Sequence, residues 1–145
     1  MGRTRAAHLI IDTSALAAIV LTEPGWEPLR SAIARSECVV PAPVILEMKL
    51  AMAKHGDAIA AGANELLDRL LRAGAVIATY EDRHAMLSRS ASDLYGKGNG
   101  RGGLLNFGDL MVYAIAKDRG EALLCTGRDF VSTDLEIHPA SRLDS

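Results

Sequence analysis

Apolar positions along the chain follow two rhythms. Short unbroken runs, at Leu9-Ile10-Ile11, Cys38-Val39-Val40, residues 75–79 and residues 122–126, have the density of strands buried on both faces. Between them apolar residues recur every three or four positions, as on a helix with one face inward. Residues 13–22 put Leu16, Ile19 and Val20 on one such face, and Glu23-Pro24-Gly25 ends that helix. Residues 26–35 follow, with Trp26, Leu29 and Ile33 facing inward. Pro43, suited to a first helical position, opens a helix over 44–55. Asp57 caps a longer one over 57–72, striped by Ile59, Leu66, Leu67, Leu70 and Leu71 and stopped by Gly74. Residues 82–95 form another, with Ala85, Met86 and Leu94 as core candidates. The last helix follows Asn106, carries Leu110, Val112, Tyr113 and Ile115, and runs to Asp118-Arg119-Gly120. Residues 135–138 read as a short fifth strand.

This order, a strand and two helices three times over and then two strands, predicts one α/β domain over residues 1–145. Its sheet is mostly parallel with right-handed crossovers. In such sheets ligands bind outside the carboxyl ends of the strands. Asp12 and Asp129 follow the first and fourth strands at that edge, and Glu47 and Asp109 lie near the start of helices beginning there. Four acids therefore share one rim.

Each has an ordinary explanation beside the functional one. Asp12 is a favoured helix cap. Asn106 and Asp109 have the spacing of a capping box, which by itself accounts for Asp109. Glu47 has no lysine or arginine three or four residues away, and Pro43, Val44, Leu50 and Ala51 surround it, so it is either a costly inward carboxylate or the wet edge of the stripe. The glycine-rich stretch 96–103 is by default a flexible surface connection. The sharper reading gives its Lys97 and Arg101 contacts to phosphates. Its match to a dinucleotide-binding pattern fails because a helix, not a strand, precedes it.

Bulk properties narrow the chemistry. The 145 residues carry a formal net charge of -2, so no global basic field draws in nucleic acid, and any contact with it must come from a local patch or from metal ions. Cys38 and Cys125 both sit inside apolar runs, as buried reduced thiols do, and no disulfide framework or zinc site is suggested. Met1 to Arg5 has no apolar segment behind it, and no run approaches membrane-spanning length, so a cytoplasmic protein is expected. His8, His55, His84 and His138 lie where surface or structural histidines lie, and no Ser–His or Cys–His pair competes. Two carboxylates about 5 Å apart repel by roughly 3 kcal/mol at an effective dielectric of about 20. Four converging acids must therefore take up protons or bind a cation. An all-oxygen set suits Mg²⁺ or Mn²⁺. Ions of that kind activate water for phosphodiester hydrolysis.

Several stretches carry a resemblance. Ile11-Asp12-Thr13-Ser14-Ala15 is similar to the opening of a PIN domain, and Leu46-Glu47 to the segment with its second acid. Tyr95-Gly96-Lys97-Gly98, Leu105-Asn106-Phe107-Gly108-Asp109-Leu110 and Tyr113 to Lys117 resemble the VapC toxin branch, and Gly127-Arg128-Asp129-Phe130 with Thr133-Asp134 resembles the segment of the fourth acid. The match spans nearly the whole chain, and Asn-Phe-Gly-Asp is its most specific part. The resemblance implies a three-layer α/β/α fold around a five-stranded sheet. It implies a Mg²⁺- or Mn²⁺-dependent ribonuclease, a toxin neutralised by a VapB antitoxin, and often a homodimer. Carried over, Asp12, Glu47, Asp109 and Asp129 form the catalytic site. Asp12, Asp109 and Asp129 bind metal, and Glu47 binds it directly or through water, or helps activate the attacking water. Thr13, Asn106 and Thr126 brace the acids. Arg128 stands where relatives often have Asn or Asp, so its guanidinium either contacts the scissile phosphate or weakens metal binding. Asp134 is a rival for the fourth position.

Two other readings remain. One is a catalytically silent RNA- or partner-binding module that keeps the fold. The other is a phosphatase with Asp12 as nucleophile, a poor match because Ser14 stands where a second Asp or Thr is wanted.

Overall fold

The computed structural model describes residues 8–144, so the readings of Met1 to Arg5 and of Ala7 lie outside the described residues. Four strands form one sheet: β1 (His8–Ile11), β2 (Glu37–Pro41), β3 (Val76–Ala78) and β4 (Ala122–Leu124). Their spatial order is β3-β2-β1-β4 and every pairing is parallel. Leu9 faces Cys38 on one side and Ala122 on the other, so β1 is central, and Leu9, Ile10 and Ile11 are fully buried. The chain steps outward from β1 to β2 to β3, then returns to the far side of β1 for β4. That reversal puts the topological switch point at the carboxyl ends of β1 and β4, where sheets of this kind bind ligands.

Six helices cover the sheet: α1 (Thr13–Val20), α2 (Trp26–Ala34), α3 (Ala42–Ala53), α4 (Asp57–Arg72), α5 (Asp82–Tyr95) and α6 (Phe107–Arg119). Right-handed crossovers put α1 to α4 on one face and α5 and α6 on the other. The start of α3 also meets α6 across the carboxyl edge. Helix boundaries follow the sequence closely. Helix α3 begins one residue early, with Ala42 first and Pro43 second, where an amide is still unneeded. Gly56, at φ +96°, occupies the cap of α4, and Asp57 is that helix's first residue.

Two expectations are corrected. The sheet has four strands, not five. Residues 135–138 make one bridge, between Ile137 and Leu123, in which Leu123 N donates to Glu136 O (2.9 Å) and His138 N to Leu123 O (2.8 Å). Pro139 has no N–H to continue the ladder. The segment skips, and Ser141 Oγ instead accepts from Cys125 N at 3.1 Å. Contact resumes where Gly127 N donates to Arg142 O at 2.8 Å. The free side of β4 is thus sealed by an irregular tail.

The second correction concerns α5. Met86 (57% exposed) and Leu94 (60%) point outward, and Ala85 is exposed as well. The buried side carries His84, Ser88 and Ala91. Hydrogen bonds with α6 set this orientation. Ser88 Oγ donates to Leu110 O (2.8 Å), Tyr80 Oη donates to Ser88 Oγ (2.9 Å), and His84 Nε2 lies 3.0 Å from Asp118 Oδ2. Glu81 N donates to His84 Nδ1 at 2.8 Å, which leaves the proton on Nε2. A satisfied polar face outcompetes a hydrophobic one here because both its donors and its acceptors are already matched.

Candidate functional site

Asp12 sits one residue beyond β1, where its main chain leaves the sheet; its N–H still donates to Leu124 O at 3.0 Å. It is the cap of α1: Oδ2 accepts from Ser14 N (3.1 Å) and Ser14 Oγ (2.5 Å). Ser14 Oγ in turn accepts from Thr126 N at 3.0 Å, which ties the ends of β1 and β4 together. Asp12 is 4% exposed, and its Oδ1 is buried without a hydrogen-bond partner among the described residues. Burial, with the nearby Glu47 charge adding to it against the Ser14 bonds, pushes this carboxyl up to about 6.

Asp109 belongs to the capping box of α6. Its N–H donates to Asn106 Oδ1 (2.9 Å), and its Oδ2 accepts from Asn106 N (3.1 Å). It is 8% exposed, and burial together with the charges of Asp12, Asp129 and Glu47 pushes it up to about 7 against the Asn106 bond. Those three neighbours are the other predicted acids. The capping explanation and the site explanation for Asp109 therefore hold together: one oxygen serves the helix end, and the carboxylate still feels three like charges.

Glu47, half-buried one turn into α3, accepts a hydrogen bond from the Thr13 hydroxyl. Gly108 makes room for it. A Cβ added at Gly108 would overlap Glu47 Oε2 and stand 3.1 Å from Cδ. Gly108→Ala is expected to evict the Glu47 carboxylate with the fold intact and, were Glu47 a reacting group, to lower activity by about 100-fold or more, since misplacement by about 1 Å is that costly. Activity measured beside circular dichroism checks this; unchanged activity would show that Glu47 needs no fixed place.

Asp129 lies in the loop after β4, exposed, with its charge reaching Asp109 and the buried Cys125 beneath. Asp134 accepts from Tyr113 Oη at 2.6 Å and from Lys117 Nζ at 2.7 Å. Lys97, Arg101 and Arg128 are exposed, and none of the ion pairs among the described residues joins them to the four acids. The glycine-rich loop is built, not slack: Asn99 Oδ1 accepts from Arg101 N (2.8 Å) and Gly103 N (3.2 Å). Thr126 takes part through its amide, on Ser14.

Ser14 and Gly108 are the site residues that sequence reasoning passes over. Ser14 carried a signal, a hydroxyl two residues past an acid at a helix cap. Gly108 carried none until its neighbour in space was known.

All the converging donors are carboxylate oxygens, and Asp12 Oδ1 is an orphaned buried acceptor, both of which fit a small hard cation. No three of the described acidic, histidine or cysteine side chains stand ready as a ligand set. Glu47 is turned to Thr13 and one Asp109 oxygen to Asn106, so closing around an ion takes side-chain rotation.

Comparison with known proteins agrees with this architecture. The family model described as PIN domain matches residues 9–135. Ribonuclease VapC42 of Mycobacterium tuberculosis is 37% identical over 134 residues, which cover 91% of this chain and 98% of the relative. Ribonuclease VapC36 of the same organism is 36% identical, with coverage of 89% and 92%. The chain therefore belongs to the PIN-domain family, among the VapC ribonucleases. Among solved structures, Mycobacterium tuberculosis VapC20, described as a Sarcin-Ricin loop cleaving toxin, aligns with a TM-score of 0.68 at 18% identity over 90% of this chain and 99% of its own. VapBC2 from Rickettsia felis, bound to a promoter DNA fragment, aligns with a TM-score of 0.61 at 13% identity over 94% and 97%. At such identities these two speak for the fold.

Proposed function

We propose that the chain is a divalent-metal-dependent endoribonuclease, the toxin of a type II toxin–antitoxin pair, acting in the cytoplasm. The observation that carries this reading is the pair of buried acids, Asp12, whose Oδ1 has no hydrogen-bond partner among the described residues, and Asp109, crowded by the charges of Asp12, Asp129 and Glu47. Such a cluster is tolerable when protonated or when it faces a cation. The relatives' names supply the substrate class, RNA.

Asp12, Asp109 and Asp129 would hold Mg²⁺ or Mn²⁺. Bound there, the ion would supply an activated water and charge stabilisation for in-line displacement at phosphorus. Glu47, oriented by Thr13 and half-exposed to solvent, would take the proton from the attacking water. Ser14 fixes Asp12 and the head of the loop beyond β4. Arg128, beside Asp129, is the candidate for the scissile phosphate, and Lys97 and Arg101 for phosphates further along the strand.

The test is digestion of total cellular RNA by the purified chain. Cleavage is expected with Mg²⁺ or Mn²⁺, none with EDTA, and none from Asp12→Asn with metal. Equal cleavage by Asp12→Asn would remove that acid from the mechanism, and cleavage in EDTA would remove the metal.

The partners belong to the same reading. The Rickettsia felis neighbour, and one from Salmonella typhimurium, are VapBC complexes, which supports a VapB-type antitoxin. A groove of about 590 Å³ between α3 and α6, with Pro43, Leu46, Leu50, Phe107 and Met111 along it, supports a homodimer. Phe107 is 81% exposed, Leu50 63% and Leu46 60%, an apolar surface suited to a second copy.

A further inference from the structure

The loop that carries Asp129 is fastened at both ends. At its start Gly127, at φ +81°, donates its N–H to Arg142 O at 2.8 Å. In its middle Phe130 is buried, and Phe130 O accepts from both Thr133 N (3.1 Å) and Thr133 Oγ1 (2.7 Å). At its far end Asp134 Oδ1 accepts from Tyr113 Oη at 2.6 Å and Oδ2 from Lys117 Nζ at 2.7 Å.

The two donors are not arbitrary. Asp109, Tyr113 and Lys117 are spaced by four along α6, so they form one stripe. One end of that stripe carries the acid at the centre of the cluster. The next two turns grip the loop. Tyr113 is itself fixed: it is 5% exposed, and its ring lies 5.4 Å from that of Tyr95. Both oxygens of Asp134 are committed to donors one and two turns down α6, roughly 6 and 12 Å along its axis from Asp109.

We propose that Asp134 is a positioning residue: by fastening the loop to Tyr113 and Lys117 it holds Asp129 against Asp109, and so sets the site's affinity for a divalent ion. This rests on the reading that Asp129 belongs to the metal site. Nothing in it requires Asp134 to touch metal or RNA. An acid that looks like a rival for the fourth position becomes the reason the fourth acid is in place.

The experiment is a titration of the full chain with Mn²⁺ alone, followed by calorimetry. Asp134→Ala is expected to weaken Mn²⁺ binding by about 10-fold, at the low end for residues that orient metal ligands. Asp134→Asn keeps an acceptor for Tyr113 and is expected to retain most of the affinity. In an Asp129→Asn background, Asp134→Ala should add nothing, since both act through one ligand. An unchanged affinity for Asp134→Ala where Asp129→Asn weakens binding overturns the inference. So does an equal loss with and without Asp129. If Asp129→Asn itself leaves Mn²⁺ binding untouched, the underlying reading of the site fails, and this inference with it. Should Asp134→Ala unfold, Tyr113→Phe takes its place: it must weaken binding in the parent chain and not in the Asp129→Asn chain.

Discussion

Asp109→Asn is expected to lower RNA cleavage by at least about 1,000-fold while raising the stability of the metal-free protein at pH 8. Both halves follow from one geometry. Asparagine keeps the oxygen that Asn106 N binds at 3.1 Å, so the cap of α6 survives. What disappears is a charge buried among Asp12, Asp129 and Glu47. Without it a hard cation would be held less firmly, and the repulsion among the remaining acids would fall. A merely structural Asp109 would behave in the opposite way, losing stability on substitution and retaining turnover in the folded fraction. Cleavage rates and thermal melts of the same preparation separate the two. Undiminished cleavage would remove Asp109 from the site.

The metal-free protein should melt on the order of 10 °C lower at pH 8 than at pH 5, and Mg²⁺ should restore the difference at pH 8 only. The sign follows from proton binding. The ordinary value for both carboxyls is 3.8, whereas in the folded chain burial pushes Asp12 up to about 6 and Asp109 up to about 7. Between these limits the folded state holds more protons than the unfolded one, so stability falls as pH rises through the window. Each factor of ten in proton affinity is worth about 1.4 kcal/mol, so the two groups together withdraw several kcal/mol by pH 8. Asp118 and Asp134 shift the other way, held low first by their bonds to His84 and to Lys117, and their contribution is lost only below about pH 4. The interval from pH 5 to 8 therefore reports the two buried acids. Scanning calorimetry with EDTA and with Mg²⁺ across that interval is the measurement. A flat melting temperature, or equal stabilisation by Mg²⁺ at pH 5 and pH 8, would mean that the acids are not crowded.

The chain order of strands and helices, and the placing of Asp12 and Asp109 at strand and helix ends, were legible in the sequence because each depends on local signals. Leu9-Ile10-Ile11 is long enough and apolar enough to be only a buried strand, and the acid that follows such a strand has one place to go. The spacing of Asn106 and Asp109 specifies a capping box whatever surrounds it. The orientation of α5 was not legible, because Met86 and Leu94 signal hydrophobicity while Ser88 and His84 answer to partners on α6, twenty and more residues away. Residues 135–138 have strand composition, but the proline that ends the pairing acts through a missing donor that an apolar pattern does not register. The bonds of Asp134 were hidden for the same reason: its partners Tyr113 and Lys117 lie on α6, 21 and 17 residues away.

Among the described residues, the tail that seals β4 leaves the sheet with one open flank. On the other side β3 presents Val76 at 54% and Ile77 at 46% exposure, with an outer row of main-chain groups to match. A sheet bare on both flanks can propagate without limit, each added molecule exposing the next template. Among the described residues β3 is the one uncovered edge, so strand-to-strand joining there would terminate at two molecules instead of growing into a fibre. Stripping residues 135–142 would remove that terminator.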